Sequence, residues 1–153
     1  MADKGVKAPA FDLATDGGGR VRLADFRGKK LVVYFYPADD TPGCTMEAID
    51  FSNAEAAFAR AGTSIVGISP DPQKSHEKFK TKHKLAITLA ADADHKVIEA
   101  YGAWREKTMF GRKYMGVERA TFLIGTDGII AQEWRNVRVR GHVEAVLAAA
   151  RAL

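Results

Sequence analysis

The chain has 153 residues, 23 of them lysine or arginine and 19 aspartate or glutamate, and 46% are hydrophobic. This size and composition predict one packed domain spanning residues 1–153. No stretch reaches the roughly 20 apolar residues that cross a bilayer, and the first residues lack the apolar run of a signal peptide. We therefore expect a cytoplasmic protein without a membrane partner. Basic clusters at 74–84 and 104–114 indicate solvated faces rather than nucleic-acid binding, because no reading motif accompanies the net charge of +4.

Cys44 is the only cysteine of the sequence. One cysteine forms no disulfide within its own chain, and the cytosol keeps thiols reduced. Any disulfide of this protein must therefore include a second molecule.

Turn and strand signals organise the first sixty residues. Gly17-Gly18-Gly19 predicts the turn of an N-terminal hairpin with strands at 11–13 and 21–23. The apolar run LVVYFY at 31–36 predicts a central strand covered on both faces. Apolar residues then recur at helical spacing from Cys44 to Arg60, and Thr41 followed by Pro42 predicts the N-cap and first position of that helix.

A strand at 64–68 follows, and a strand, helix, strand unit of this length predicts a parallel pair with a right-handed crossover. Asp71-Pro72 repeats the cap signal before a lysine-rich helix that ends near Lys84. We predict a short strand at 87–89, a helix at 94–101 and irregular structure at 103–118.

The last quarter predicts strands at 120–124 and 129–134 around the turn Thr126-Asp127-Gly128, then a closing helix from Gly141. The whole order predicts an α/β fold of thioredoxin-like type, with a mixed central sheet flanked by helices and preceded by an extra hairpin.

Cys44 falls in the first turn of a helix that follows a central strand. Free N–H groups and the helix dipole favour negative charge there, and the thiolate is the reactive form of cysteine. Functional groups also gather at the carboxyl edge of such sheets. The alternative from position alone is a small buried hydrophobic residue, and the two interpretations are about equally supported.

The segment PADDTPGCT at 37–45 resembles the active-site motif of the peroxiredoxins, with Pro37, Thr41 and Cys44 in its three defining places. The longer string YFYPADDTPGCTMEA is similar to the Q-type, or bacterioferritin-comigratory, branch. The resemblance continues through GISPD at 67–71, the segment at 111–128 and the segment at 134–147, and so covers nearly the whole chain.

The resemblance implies a peroxidase for hydrogen peroxide and organic hydroperoxides that needs no cofactor or metal. Cys44 would be the attacking thiolate, and Arg119, which opens a late strand, would be its partner. Arginine offers fixed positive charge and several donors to the departing oxygen. Thr41 would accept from or donate to the peroxide, in competition with a role as helix cap, and Pro37 would shield the thiolate.

Many members of this branch carry a resolving cysteine five residues after the first, where this chain has Ile49. The resemblance therefore implies one-cysteine chemistry, in which thioredoxin, glutaredoxin or glutathione restores the sulfur, and a monomer. Glu47 matches an acidic or amide position of the branch. From the sequence it is a first-turn acid favourable to the helix dipole, with no catalytic step assigned.

Three other functions stay open at this point. The chain could be a non-catalytic thioredoxin-like binding or chaperone module with an incidental thiol. A Cys–His hydrolase needs one of the four histidines to meet Cys44 in the fold. Asp92, Asp94 and His95 form a weak metal candidate without recognised ligand spacing, and Asp94 also fits a helix cap.

Overall fold

The computed structural model describes residues 2–153, and within that range the chain forms nine strands and four α-helices. The strands are β1 Asp12–Thr15, β2 Arg20–Arg22, β3 Lys30–Phe35, β4 Thr63–Ser69, β5 Thr88–Ala91, β6 Trp104–Met109, β7 Arg112–Val117, β8 Ala120–Ile124 and β9 Ile130–Trp134. The helices are α1 Pro42–Arg60, α2 Gln73–His83, α3 Lys96–Ala100 and α4 His142–Ala152. None of the helices in this range is both long and apolar enough to cross a membrane.

Seven strands form one mixed sheet in the order β2-β1-β5-β4-β3-β8-β9. The central strands β3, β4 and β5 run parallel, and β1, β2, β8 and β9 join by antiparallel pairing. The thioredoxin-like α/β prediction is confirmed, including the parallel pair around α1. The N-terminal hairpin also forms as predicted, with Leu13 opposite Val21.

The central strand β3 is buried on both faces, which explains its uninterrupted apolar run. Val32 and Tyr34 contribute to the core under α1 and α4, whereas Val33 and Phe35 contribute to the core on the α3 side. Alternate side chains of a strand point to opposite faces, so only a sheet covered on both sides needs such a run.

The prediction of irregular structure at 103–118 is wrong, because β6 and β7 form an antiparallel hairpin there. Its turn consists of Phe110 and Gly111, both with positive φ, 52° and 76°. Such a two-residue turn normally carries Asn-Gly or Gly-Gly. Phenylalanine in the turn, together with strands rich in charged residues, hides the hairpin from sequence patterns.

The predicted cap of α2 at Asp71 is wrong, whereas Thr41 and Pro42 begin α1 as predicted. The N-cap of α2 is Pro72, whose side chain cannot cap, while the Asp71 carboxylate accepts hydrogen bonds from Ser69 and from the backbone of Asp39. Thr41 stands at the N-cap of α1 but makes no side-chain capping bond. Both side chains bind partners in the loop between β3 and α1 or next to it instead of capping a helix: Asp71 binds Ser69 and Asp39, and Thr41 binds Ala38.

Candidate active site

Cys44 is the third residue of α1 and only 2% exposed. It lies where the chain leaves β3 at the carboxyl edge of the parallel strands and turns into the helix. The first N–H groups of a helix have no partner within it, so they favour negative charge on a side chain in the first turn. The local fold therefore places Cys44 at a helix start in a nearly closed site.

Arg119 contacts Cys44 although 75 positions separate them in sequence. It directly precedes β8, which pairs antiparallel with β3 so that Ala120 lies opposite Phe35, next to the active-site loop. One guanidinium nitrogen, Nη2, lies 3.4 Å from the Cys44 Sγ. The register of these two strands thus brings the predicted cation to the predicted nucleophile.

Glu47 shares the same arginine. Its Oε1 accepts a hydrogen bond of 2.6 Å from the Arg119 Nη1, and its side chain is fully buried. Burial raises the pKa of Glu47 to about 7, although the charge and hydrogen bond of Arg119 oppose the rise. Glu47 is therefore a buried partner of Arg119 and not the solvated first-turn acid of the sequence interpretation.

Gly43 makes room for this arrangement. A Cβ atom at Gly43 would lie 3.1 Å from the Arg119 Nη2, closer than ordinary side-chain contacts. A larger residue would push the guanidinium away from the sulfur, so the glycine before Cys44 has a steric reason.

The Thr41 hydroxyl donates a 2.8 Å hydrogen bond to the carbonyl oxygen of Ala38. Its hydrogen is thereby engaged, and its oxygen remains able to accept. Pro37 follows Tyr36, whose backbone N–H donates to the carbonyl oxygen of Ile68 in β4. Pro37 has no backbone N–H that could extend the pairing with β4, so the chain leaves the sheet at this point.

A buried cluster of hydrogen bonds around Asp39 anchors the loop that carries these residues. The Asp39 carboxylate accepts from Tyr36 at 2.6 Å, from Ser75 at 2.7 Å and from the His76 Nδ1 at 2.8 Å. The His76 Nε2 lies 3.0 Å from the Ala90 carbonyl oxygen, which can only accept. Both ring nitrogens of His76 therefore have an acceptor within hydrogen-bond distance. Burial opposes the ionisation of Asp39, but these hydrogen bonds hold its pKa below the usual value.

Asp39→Asn is expected to lower the free energy of unfolding by about 3 kcal/mol, because an amide cannot accept all the hydrogen bonds that the buried carboxylate receives from Tyr36, Ser75 and His76. Peroxide reduction should slow as well, since the loop before Cys44 loses its anchor. Urea titration and initial rates measure the two effects. Asp40→Asn is the matched control: Asp40 pairs with Lys82 and His83 at the surface and its loss should change little. If Asp39→Asn and Asp40→Asn had equal effects, the buried hydrogen bonds of Asp39 would not be what anchors the loop.

The histidines have partners other than Cys44. His76 binds Asp39, His142 bonds to Thr121 Oγ1 at 2.8 Å, His83 pairs with Asp40, and His95 stacks on Trp104. In the described chain the sulfur's side-chain hydrogen bond comes from Arg119, so a Cys–His hydrolase is not supported.

Asp92, Asp94 and His95 do not form a metal site. Within residues 2–153 no group of three or more His, Cys, Asp or Glu side chains is placed to hold a metal ion. Asp92 and Asp94 accept hydrogen bonds from backbone N–H groups of Ile98 and Lys96 at the start of α3. They therefore organise the helix start.

Comparisons with known proteins show which family the chain resembles. The profile of the AhpC/TSA family matches residues 4–133. The peroxiredoxin Bcp of Bacillus subtilis is 49% identical over 143 residues, which cover 94% of this chain and 91% of the relative. The chain belongs to the peroxiredoxins. The peroxiredoxin Bcp of Xanthomonas campestris is 43% identical over 156 residues, covering 99% and 98% of the two chains.

Solved structures of peroxiredoxins have the same fold. A Xylella fastidiosa peroxiredoxin Q superposes with a TM-score of 0.94 at 34% identity, covering 99% of this chain and 97% of its own. The bacterioferritin comigratory protein of Xanthomonas campestris, studied for its alkyl peroxide reduction activity, gives 0.92 at 41% identity and covers 98% of each chain. This peroxiredoxin is thus a thiol-dependent peroxidase, with a hydroperoxide as substrate and a thiol as reductant, and a non-catalytic binding or chaperone role is not favoured.

Sequence reasoning missed Asp39, His76 and the burial of Glu47. Glu47 had one usable signal, because its spacing of three from Cys44 puts both on one helical face. No sequence signal pointed to the contact between Asp39 and His76, because 37 positions separate them and neither belongs to a recognised motif.

Glu47 should make stability depend on pH. Its pKa of about 7 in the folded chain exceeds the ordinary value of 4.5, so the folded state keeps a proton that the unfolded state releases. This contribution is complete below pH 4.5 and is lost as the pH rises through about 7. We expect the free energy of unfolding of wild type to fall across this window relative to Glu47→Gln. Chemical unfolding at a series of pH values measures this change in the free energy of unfolding, with Glu55→Gln as a control on the same helix. If the free energies of wild type and Glu47→Gln changed in parallel with pH, the buried Glu47 would not be the cause.

Proposed function

We propose that Cys44 is the peroxidatic nucleophile, that Arg119 and Thr41 bind the peroxide, and that an outside thiol completes the cycle. The observation that carries the assignment is the 3.4 Å contact between the Arg119 Nη2 and the Cys44 Sγ in the first turn of α1. It joins a nucleophile, a fixed cation and the free N–H groups of a helix start in one nearly closed site.

The thiolate attacks one oxygen of the hydroperoxide. A sulfur–oxygen bond forms as the oxygen–oxygen bond breaks, and the electron pair of the broken bond goes to the departing oxygen, which takes the proton that the thiol gave up. Arginine has five N–H donors, so Arg119 can bind Glu47 and Cys44 and still donate to the peroxide oxygens. Since the Thr41 hydrogen is engaged by Ala38, Thr41 accepts a hydrogen bond from the peroxide O–H. Pro37 shields the thiolate from water.

The product on Cys44 is a sulfenic acid, and the sequence holds no second cysteine to resolve it. Ile49, at the place of the family's resolving cysteine, packs against the core under α1. An outside thiol condenses with the sulfenic acid, forming a mixed disulfide and releasing water. A second thiol then attacks the outside sulfur of that disulfide, so that the two outside thiols leave as a disulfide and Cys44 returns to the thiol. Thioredoxin, glutaredoxin and glutathione all supply this chemistry.

Regeneration requires movement of the first turn of α1. Cys44 is 2% exposed, which admits a small peroxide but not the sulfur of a larger thiol. We propose that this turn unwinds locally after oxidation. The chain would act as a single-domain cytoplasmic monomer, because Cys44, Arg119 and Thr41, the groups that bind and attack the peroxide, all come from one chain.

The test is oxidation with one equivalent of hydrogen peroxide in the absence of thiol. We expect one sulfenic acid per chain, trapped by a dimedone-type reagent on Cys44, and catalytic turnover once dithiothreitol is added. Mass spectrometry locates the adduct. Oxidation at methionine with Cys44 unmodified, or turnover without added thiol, would refute the proposal.

A further inference from the structure

The hairpin of β6 and β7, residues 104–117, serves neither the main sheet nor the chemistry at Cys44; we call it the arm. Its strands pair with each other in a separate two-stranded sheet. Val117 and Trp104 anchor the base of the arm in the hydrophobic core, but a two-stranded ribbon beyond such an anchor is at best marginally stable in water. Residues 108–115, the outer part of the arm, are all exposed.

The tip of the arm is an unfavourable place for its phenylalanine. Phe110 is 98% exposed and adopts a φ of 52°. Asparagine or glycine is preferred at the first position of a turn in which both residues have positive φ. Neither packing nor backbone preference within the chain explains an aromatic ring here.

The apolar surface extends beyond the tip. Seven large hydrophobic side chains of residues 2–153 are exposed, and four of them lie on the arm. These are Met109, Phe110, Tyr114 and Met115. The strand register puts Met109 and Tyr114 on one face of the arm and Met115 on the other, so Met109, Phe110 and Tyr114 form the exposed cluster. Clustered exposed hydrophobic side chains mark contact surfaces.

The arm also concentrates the positive charge of the protein. It carries four basic side chains against the single acid Glu106, a net +3 of the chain's +4. Arg112 and Lys113 directly follow the turn, and Lys107 and Arg105 lie two and four residues behind Met109, roughly 7 and 13 Å along the strand. Arg105 pairs with Glu118 at the base of the arm, so the cations that follow the apolar tip are Arg112, Lys113 and Lys107.

We propose that the arm docks on the surface of an anionic lipid bilayer, with Phe110 and Met109 among the acyl chains and Arg112, Lys113 and Lys107 at the headgroups. An apolar end backed by basic residues matches the depth profile of a membrane interface. A second copy fits poorly, since two arms of net +3 repel. A protein partner would need a pocket shaped for a protruding ring, whereas a bilayer accepts it anywhere. The expectation of no membrane partner rested on the lack of a spanning segment, which does not bear on surface binding.

Docking would bring the active site to the bilayer. The arm ends at Val117, two residues before Arg119, and the Glu118 N–H donates to the Ala103 carbonyl oxygen at the base of the arm. Burial lowers the pKa of Lys107 on β6, and the charges of Arg119 and Cys44 also act on it. The substrates would then include hydroperoxides of membrane lipids. This consequence rests on the proposed peroxidase function, whereas bilayer binding does not.

The experiment compares the full-length protein with Phe110→Asn in sedimentation with vesicles of phosphatidylcholine, with and without phosphatidylglycerol. Asparagine suits the turn, so the variant should fold at least as well as wild type. We expect wild type to bind the anionic vesicles and the variant to bind at least about 10-fold more weakly, with equal turnover of hydrogen peroxide. Val6→Asn, which removes an exposed hydrophobic side chain elsewhere, should bind like wild type.

Absence of wild-type binding to anionic vesicles would overturn the proposal, and so would equal binding by Phe110→Asn, which would indicate charge alone. A change of oligomeric state in Phe110→Asn would assign the arm to a second copy. Slower reduction by a protein dithiol with unchanged vesicle binding would assign it to a protein. A lipid hydroperoxide in the vesicles should be reduced more slowly by the variant; failure of wild type to reduce hydrogen peroxide at all would refute the peroxidase proposal instead.

Discussion

Cys44→Ser is expected to reduce hydroperoxide turnover to the uncatalysed rate. Serine keeps the size and hydrogen-bonding capacity of the side chain beside Arg119, but its hydroxyl is neither ionised nor nucleophilic toward peroxide at neutral pH. Because Cys44 is the only cysteine, no other sulfur can replace it by forming a sulfenic acid or a disulfide. Consumption of hydrogen peroxide with excess dithiothreitol measures the loss.

The matched control is Thr45→Ser, a similarly small change at the next position of the same helical turn. It should keep nearly full activity, and thermal unfolding of Cys44→Ser should show an intact fold. Residual turnover by a folded Cys44→Ser protein above the rate of dithiothreitol alone would contradict the assignment of the nucleophile.

Arg119→Met is expected to slow oxidation of Cys44 by about 100- to 1000-fold, the usual effect of removing a preorganised donor to a developing negative charge. The thiolate loses its cation, and the departing oxygen loses its hydrogen bonds. Glu47 also loses its partner, and burial then keeps it protonated at neutral pH, so no unpaired charge remains buried. Stopped-flow measurement of the single oxidation step separates this effect from regeneration.

Arg119→Lys should react faster than Arg119→Met but more slowly than wild type. One ammonium group cannot contact Glu47 and Cys44 with two separate nitrogens, as the guanidinium does. Arg138→Met, at an exposed position, is the control and should react like wild type. An Arg119→Met protein within a few-fold of wild type would show that the helix N-terminus alone activates the sulfur.

The order of strands and helices was predictable because each element carries its own local signal. The apolar run of β3, the proline at the start of α1 and the Asp-Gly turn before β9 act over a few residues. The arm escaped prediction for the same reason, since its turn begins with Phe110, against local preference. Where a sequence violates a local rule, pattern reasoning fails and a separate role becomes the more informative interpretation.

For the candidate site, the sequence by itself determined the residue types: a single cysteine after a central strand, the threonine and proline before it, and, through family resemblance, Arg119. Only the tertiary structure decided which groups meet. The antiparallel register of β3 and β8 brings Arg119 to Cys44, and packing of α2 against the active-site loop brings His76 to Asp39. Contacts between residues far apart in sequence depend on register and packing, whereas local signals extend only over neighbouring residues. The same limit applies to protonation: burial, a property of the whole fold, raises the pKa of Glu47 to about 7.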